Sequence, residues 1–191
     1  MNPAKIVGIS NPESSPASGV IRTFSLLPES QSAETDWESW VGEARGNKTT
    51  WSDILKERLV VVLGEAGIGK TYEFREQARR LQSQAKAAFF IQLNLLDRQG
   101  DWVSALDEQA THFEKWQGSA DPGIFFLDAV DEARLTGPVA LHRALSCVKR
   151  ALTEDLDRVS FFISSRISDW SLPTVRALVQ QQLTLSTAPP S

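Results

Sequence analysis

The sequence predicts an α/β fold with a mostly parallel sheet of five strands, covered by helices on both faces in three layers. Two observations lead to this prediction. From Arg58 onward, short and almost wholly apolar runs alternate with longer segments of helical spacing, and strands buried on both faces of a parallel sheet have this continuous apolar character. The chain of 191 residues, 41% of them apolar, is also long enough to bury one core.

The predicted strands are the apolar runs themselves. They are, in order, Leu59 to Leu63, Ala88 to Leu93, Ile124 to Leu127, Val159 to Ser164 and, with the weakest apolar pattern, Leu183 to Ser186. Helices are predicted over about residues 70–85, 102–116, 138–153 and 172–182, where apolar residues recur at helical spacing. Four crossover helices between five strands describe a doubly wound sheet.

The chain divides into three predicted parts. Residues 1–49 are a flanking segment, partly loop and partly helical, because residues 8–19 are dense in Pro, Ser and Gly. Residues 50–187 form the core domain, and residues 188–191 are a tail.

Tryptophans are concentrated just before the core domain. Residues 33–45 carry Trp37 and Trp40 at helical spacing, and Thr50 is placed to cap a short helix that contains Trp51. We interpret these tryptophans as packing residues, with stacking of Trp51 on a ligand as the alternative.

Composition and charge narrow the classes of function. The net charge is −4 with both signs interspersed, so no basic face is available for a nucleic-acid partner. The single cysteine, Cys147, cannot form an internal disulfide and fits the core of a protein in a reducing compartment. No signal-peptide core and no run of membrane-spanning length is visible. We therefore expect a cytoplasmic protein with no membrane partner.

One motif lies between a predicted strand and a predicted helix. Gly64-x-x-x-x-Gly69-Lys70-Thr71 has the spacing and the context of a phosphate-binding loop, or P-loop. Its glycines let backbone N–H groups point at phosphates, and the helix presents its positive end to them. Lys70 is expected to reach the terminal phosphates, and the Thr71 hydroxyl to bind Mg²⁺. The nucleotide-binding segment is thus Gly64, Glu65, Ala66, Gly67, Ile68, Gly69, Lys70 and Thr71. The alternative is a glycine-rich turn that matches by accident.

An aspartate, Asp128, ends the third apolar run. A buried carboxylate needs a metal or a hydrogen-bond partner, and a P-loop needs a carboxylate on a neighbouring strand to hold magnesium. Asp131 and Glu132 follow within one turn, and either could orient and deprotonate a water for attack on a γ-phosphate. Which of the two is the base stays open, as does the alternative that both cap the next helix.

A third polar site, Ser164-Ser165-Arg166, follows the fourth apolar run. A polar side chain here can hydrogen-bond the γ-phosphate or the water, and Arg166 can report whether that phosphate is present. The alternative is a solvated loop arginine. We expect the order of the strands to bring this edge next to the P-loop.

Together these three motifs resemble the NACHT family of NTPases, within the STAND class of signal-transducing P-loop proteins related to the AAA+ ATPases. Leu63 to Thr71 is similar to the P-loop of the family. Leu127 to Glu132 is similar to its second motif, with a small residue after the magnesium aspartate and further acids beyond, and is the most discriminating part. Ser164 to Arg166 is similar to its polar-plus-arginine motif, and the resemblance covers roughly residues 50–187.

The resemblance implies a role for each motif residue: phosphates and Mg²⁺ at Lys70 and Thr71, Mg²⁺ at Asp128, water activation by Asp131 or Glu132, and γ-phosphate sensing by Arg166. It implies a switch that binds ATP or GTP with Mg²⁺ and self-associates in its triphosphate form to turn on a signalling or antiviral-defence effector. The lid, the winged helix and the effector domain of the family are not recognisable here. A truncated core, or a partner protein that supplies those parts, is expected, with slow hydrolysis.

Two other classes of function stay open. One is a catalytically idle scaffold that binds partners through its N-terminal tryptophans and keeps the P-loop as a relic. The other is a kinase for a small metabolite, since P-loop kinases share the motif, although no acceptor-binding lid is evident. The sequence does not choose between ATP and GTP.

Overall fold

The computed structural model describes residues 4–9, 23–27, 48–99, 101–128, 138–170 and 173–183. These residues form seven strands: β1 (Lys5–Ile9), β2 (Phe24–Leu27), β3 (Lys48–Thr49), β4 (Leu59–Leu63), β5 (Ala87–Gln92), β6 (Gly123–Asp128) and β7 (Val159–Ser165). They also form α1 (Trp51–Ile54), α2 (Lys70–Ser83), α3 (Leu93–Gln99), α4 (Trp102–Leu106), α5 (Ala110–Gln117), α6 (Pro138–Ala151), α7 (Ile167–Trp170) and α8 (Pro173–Leu183). Short 3₁₀ segments, Asp107–Gln109 and Thr153–Arg158, precede α5 and β7.

All seven strands belong to one sheet in the order β3-β2-β1-β4-β7-β6-β5. Five neighbouring strands, β1, β4, β7, β6 and β5, run parallel to one another. Strands β2 and β3 are antiparallel additions at one edge. The predicted α/β class with a mostly parallel sheet is confirmed. The predicted count of five strands is wrong, because four of the predicted strands are observed and the first 49 residues contribute three that were not predicted.

The predicted strand at Leu183 is also wrong at that residue, which ends α8. Val175, Val179 and Leu183 recur at the spacing of one helix face and are buried together, so Leu183 completes a helical stripe. Residues 184–186 lie outside the described residues. The parallel strand beside β4 is instead β1, which pairs from Lys5↔Val60 to Gly8↔Leu63.

The described parts of residues 1–49 therefore belong to the same sheet as the core strands. Gly8 and Ile9, predicted as loop, are the end of β1. Residues 10–19 and the helix predicted over 33–45, with Trp37 and Trp40, lie outside the described residues. The short helix after Thr50 is confirmed, and the Asp53 carboxylate accepts from the Thr50 N–H (3.2 Å) and hydroxyl (2.8 Å).

Helices cover both faces of the sheet because side chains of each strand alternate between two apolar clusters. In β4, Val60 and Val62 pack on the face of α1 and α2, with Phe74 of α2 fully buried there. Leu59, Val61 and Leu63 pack on the opposite face, which α3 to α6 and α8 cover. Cys147 of α6 is buried in this second cluster, as its packing role predicts.

Three predicted helices are confirmed as α2, α6 and α8, within a few residues at their ends. The helix predicted over 102–116 is instead two helices, α4 and α5, separated by a 3₁₀ turn. Asp107 at the junction has φ +50°, a left-handed conformation that no α-helix continues through. Among the described residues, no helix is both long and apolar enough to cross a bilayer.

Candidate functional site

The segment Gly64 to Gly69 connects β4 to α2 in a tight loop. Gly67 and Gly69 have φ +78° and +92°, a left-handed conformation that strains any side chain. A Cβ on Gly64 would lie 2.5 Å from Ile9 Cγ2, so the loop passes directly against the end of β1. The Gly64 N–H donates to the Ser165 carbonyl at 3.3 Å, which extends the β4–β7 ladder into the loop. These three motif glycines therefore each have a conformational or packing reason.

Lys70, the first residue of α2, is only 2% exposed. Its Nζ donates to the carbonyl of Glu65 at 2.7 Å and to the carbonyl of Gly64, so the side chain folds back against the start of the loop. Burial lowers the pKa of Lys70 below its ordinary value, and the guanidinium of Arg166 lowers it further. The site thus holds a desolvated ammonium inside the motif.

The start of α2 adds a second positive feature beside Lys70. Gly69 occupies the N-cap position and has no side chain with which to cap the N–H groups of the first turn. Such N–H groups, together with the helix dipole, favour an anion at this end. Thr71 lies half-buried in the same turn. The loop, the ammonium and the helix end converge on one place.

Asp128 ends β6 and is only 6% exposed. In the ladder it lies opposite Ser164 of β7, which in turn lies opposite Val62 of β4. The Ser164 hydroxyl donates to Asp128 Oδ1 at 2.6 Å. The hydrogen-bond partner that a buried carboxylate requires is therefore present, and it comes from the third predicted motif.

Arg166 follows β7, and β7 lies between β4 and β6. The expectation that this edge adjoins the P-loop is therefore confirmed. The Arg166 charge acts on Lys70, as the lowered pKa of the lysine indicates. The three motifs thus stand at the carboxyl ends of three neighbouring parallel strands, the edge where open α/β sheets bind ligands.

Sequence reasoning missed Asp169 of α7. Burial raises the pKa of its carboxyl group, an effect that the charge of Lys70 opposes, and its Oδ2 is buried with no hydrogen-bond partner among the described residues. Asp169, Asp128 and Glu65 in turn raise the pKa of Lys70 against the two lowering effects. The sequence gives little indication of Asp169. It is a single acid three residues after Arg166, and it belongs to no repeat and ends no apolar run.

Asp131 and Glu132 lie outside the described residues, so their role as water-activating acids stays a prediction. Within the described ranges, no group of three or more His, Cys, Asp or Glu residues is placed to hold a metal ion. Thr71 and Asp128 offer one hydroxyl and one carboxylate. Such a sparse oxygen set suits Mg²⁺, which keeps several waters and substrate phosphates as its other ligands.

Trp51 is a packing residue, as interpreted from the sequence. It is 9% exposed, and its ring meets Phe24 and Phe126 edge-on at 4.9 and 5.8 Å between centroids. Its Nε1 donates to Glu73 Oε1 at 2.7 Å in the first turn of α2. The alternative of stacking on a ligand is wrong for this residue, because its ring faces are taken up by the core.

Comparison with protein-family models, with curated proteins and with solved structures finds no match to this chain in any of the three. The case for a function therefore depends on the site itself.

Proposed function

We propose that this chain is a nucleoside-triphosphate-binding domain of the P-loop class, with Mg²⁺ and ATP or GTP as its ligands. The observation that carries the proposal is Lys70. Burying an ammonium is unfavourable unless opposite charge or good acceptors compensate for the lost water. Here its direct partners are two neutral carbonyls of its own loop. A terminal phosphate is the ligand that would compensate this charge best, beside a helix start that favours anions.

The oxygen ligands at the site fit a magnesium ion that accompanies the phosphates. Thr71 and Asp128 would hold it, and Ser164 would keep the Asp128 carboxylate oriented through its 2.6 Å hydrogen bond. When bound, Mg²⁺ supplies positive charge that neutralises the phosphate oxygens. This chain contributes the remaining positive charge through Lys70 and Arg166.

The finer proposal is a nucleotide-dependent switch with slow hydrolysis, of the NACHT and STAND type, acting in signalling or antiviral defence. Its support is that the three motifs that resemble this family occupy neighbouring strands β4, β7 and β6. Arg166 is then the group that responds to a γ-phosphate, and Asp131 or Glu132 the acid that activates water. A lid and an effector would come from a partner, and self-association would follow triphosphate binding.

The scaffold alternative depends on tryptophans that bind partners. Trp51 does not serve this purpose, since its ring packs against Phe24, Phe74 and Phe126 in the core. Trp37 and Trp40 lie outside the described residues, so the alternative stays open for them. For the small-metabolite kinase, no described residue indicates an acceptor site. We therefore retain the nucleotide switch as the proposed function.

Calorimetric titration tests the proposal. ATP and GTP, each with Mg²⁺, are titrated into the wild type, Lys70→Met and Lys86→Met. Methionine fills the volume of the buried lysine without its charge, whereas Lys86 is exposed and lies beyond the far end of α2. Loss of charge-assisted bonds to phosphate is worth about 1.5–3 kcal/mol, or at least about tenfold in affinity.

We expect the wild type and Lys86→Met to bind one nucleotide equally, and Lys70→Met to bind at least about tenfold more weakly. Circular dichroism and thermal unfolding verify that the Lys70→Met protein is folded. No heat of binding with either nucleotide, or equal binding by Lys70→Met, would reject the proposal.

A further inference from the structure

Asp169 is fixed at the carboxyl edge of the sheet by a single helical turn. Only Arg166 separates the end of β7 from the start of α7. The Trp170 N–H donates to the Arg166 carbonyl at 3.0 Å, and the Trp170 ring is buried in the core at 4% exposure. The turn is therefore anchored on both sides of Asp169, so its carboxyl group has a defined place beside the nucleotide site.

The Asp169 carboxylate lacks the donors that such a group normally has. The side chain is half-buried, and the shielded oxygen, Oδ2, has no hydrogen-bond partner in the part of the chain that the structure describes. Buried carboxylate oxygens in folded proteins are almost always hydrogen-bonded, and an exception calls for a water, an ion or a functional role to explain it. An unfilled acceptor at this edge points to a donor that arrives with the ligand.

Lys70 identifies where that donor would lie. Its ammonium attracts the Asp169 carboxylate, yet the two form no direct ion pair among the described residues. An ammonium and a carboxylate that attract one another without a direct ion pair can be bridged by a water molecule or a phosphate oxygen. Such a bridging group would lie next to the amine that would hold the terminal phosphate.

We propose that Asp169 is a catalytic residue of the nucleotide site: it accepts a hydrogen bond from the water that attacks the γ-phosphate. This inference rests on the proposed function. In the reaction, the water oxygen bonds to the γ-phosphorus, and the bond from that phosphorus to the β–γ bridging oxygen breaks. The bridging oxygen leaves with the electron pair on the nucleoside diphosphate. The proton of the water passes to the Asp169 carboxylate and then to the released phosphate.

Lys70 and Arg166 provide positive charge near Asp169, which makes a carboxylate beside the phosphates less unfavourable. The Lys70 charge acts directly on Asp169, and both cations would offset part of the negative charge that the phosphates bring to this edge. The proposal adds a third acid to Asp131 and Glu132. It differs from them in its position, on the β7 side of the P-loop rather than after β6.

The test separates binding from turnover in the full chain. Equilibrium binding of a fluorescent ATP analogue, and hydrolysis of radiolabelled ATP at saturating protein in a single turnover, are measured with Mg²⁺. The variants are Asp169→Asn and, as the matched control, Asp121→Asn, which is exposed at the opposite edge before β6. We expect Asp169→Asn to bind within about twofold of the wild type and to hydrolyse about 100-fold more slowly. Asp121→Asn should match the wild type in both.

Each other result has a distinct meaning. Failure of the folded wild type to bind the analogue would reject the proposed function, and this inference with it. Binding with unchanged turnover in Asp169→Asn would overturn the inference alone. A parallel loss of affinity and rate in Asp169→Asn would assign the residue a structural role and also overturn it. Binding by a wild type that releases no phosphate would do the same.

Discussion

Charged residues at the amino ends of the strands differ in their hydrogen bonding from those at the carboxyl ends. These two ends of the strands are called the amino edge and the carboxyl edge of the sheet. At the amino ends of the strands, Arg58 and Arg158 each directly precede a parallel strand and donate to several acceptors. At the carboxyl ends, Lys70 and Asp169 influence one another without a direct ion pair, and within the described ranges one oxygen of Asp169 has no donor. Since one sheet carries both edges, its general packing does not explain the difference.

The amino edge is closed by its own hydrogen bonds. The Arg158 guanidinium donates to Asp155 Oδ1 at 2.6 Å and to the Asp121 and Trp116 carbonyls, and it lies 4.1 Å above the Trp116 ring. Arg58 donates in the same manner to the carbonyls of Leu156 (2.6 Å) and Asp157 (2.7 Å). Cations that donate to several acceptors of their own fold stabilise it, and most of their hydrogen-bonding capacity is already used.

The carboxyl edge has groups that the described fold leaves unsatisfied. Its helix start lacks a side-chain cap, Lys70 and Asp169 form no direct ion pair, and Asp169 Oδ2 has no donor among the described residues. Proteins retain such locally unfavourable arrangements where a ligand compensates for them. The comparison therefore supports a structural role for one edge and a binding role for the other.

Replacement of Arg158 should have the greatest effect on stability. Arg158→Ala removes the ion pair with Asp155, the bonds to carbonyls and the stacking on Trp116, and should lower the free energy of unfolding by about 2–4 kcal/mol. The folded fraction should bind nucleotide as the wild type does. Urea denaturation measures the change, with Arg79→Ala as control, because the exposed Arg79–Glu76 pair is worth less than about 0.5 kcal/mol. An equal loss in both variants would contradict the distinction between the edges.

Replacement of Asp128 should affect binding rather than stability. Asp128→Asn still accepts from the Ser164 hydroxyl but is a poorer magnesium ligand, so affinity for nucleotide with Mg²⁺ should fall about tenfold, or about 1.4 kcal/mol. In EDTA the variant and the wild type should bind alike. Paired titrations with and without Mg²⁺ provide the measurement. If the loss were the same in EDTA, Asp128 would not act through the metal.

Replacement of Asp169 should slightly stabilise the protein in the absence of nucleotide. Because burial raises the pKa of Asp169, the folded state holds its proton more tightly than the unfolded state does. Wild-type stability therefore falls as pH rises from the unfolded to the folded pKa. Asp169→Asn lacks this ionisation, so it should be slightly more stable than the wild type at pH 7, and only slightly because water screens a half-buried group. Below the unfolded pKa the gain should vanish. Thermal melts across pH verify both the sign and the window.

Most of the sheet was predictable because strands β4 to β7 are buried on both faces and appear as continuous apolar runs. β1 was not, since Lys5 and Gly8 interrupt its pattern and its parallel partner lies more than 50 residues away along the chain. β3, with two residues, carries no periodic signal at all. Tertiary pairing, not local propensity, creates these two strands.

The site divides in a similar way. Lys70 was predictable because a P-loop has a fixed spacing, and Asp128 because an acid that ends an apolar strand is conspicuous. Asp169 was not, because its position depends on a single helical turn whose partners, Trp170 and Arg166, are defined only by the folded chain. The P-loop can be predicted from the spacing of its residues, whereas the position of the Asp169 carboxylate depends on three-dimensional packing.

Hydrogen exchange of the wild type, with and without Mg-ATP, is the most direct test of the difference between the two edges. We predict slower exchange of the amides in Gly64 to Thr71 when nucleotide is present, because phosphates would accept from the loop and the start of α2. Amides around Arg58 and Arg158 should be unchanged. Unchanged exchange in the loop at saturating Mg-ATP, or protection at both edges alike, would contradict the binding role of the carboxyl edge.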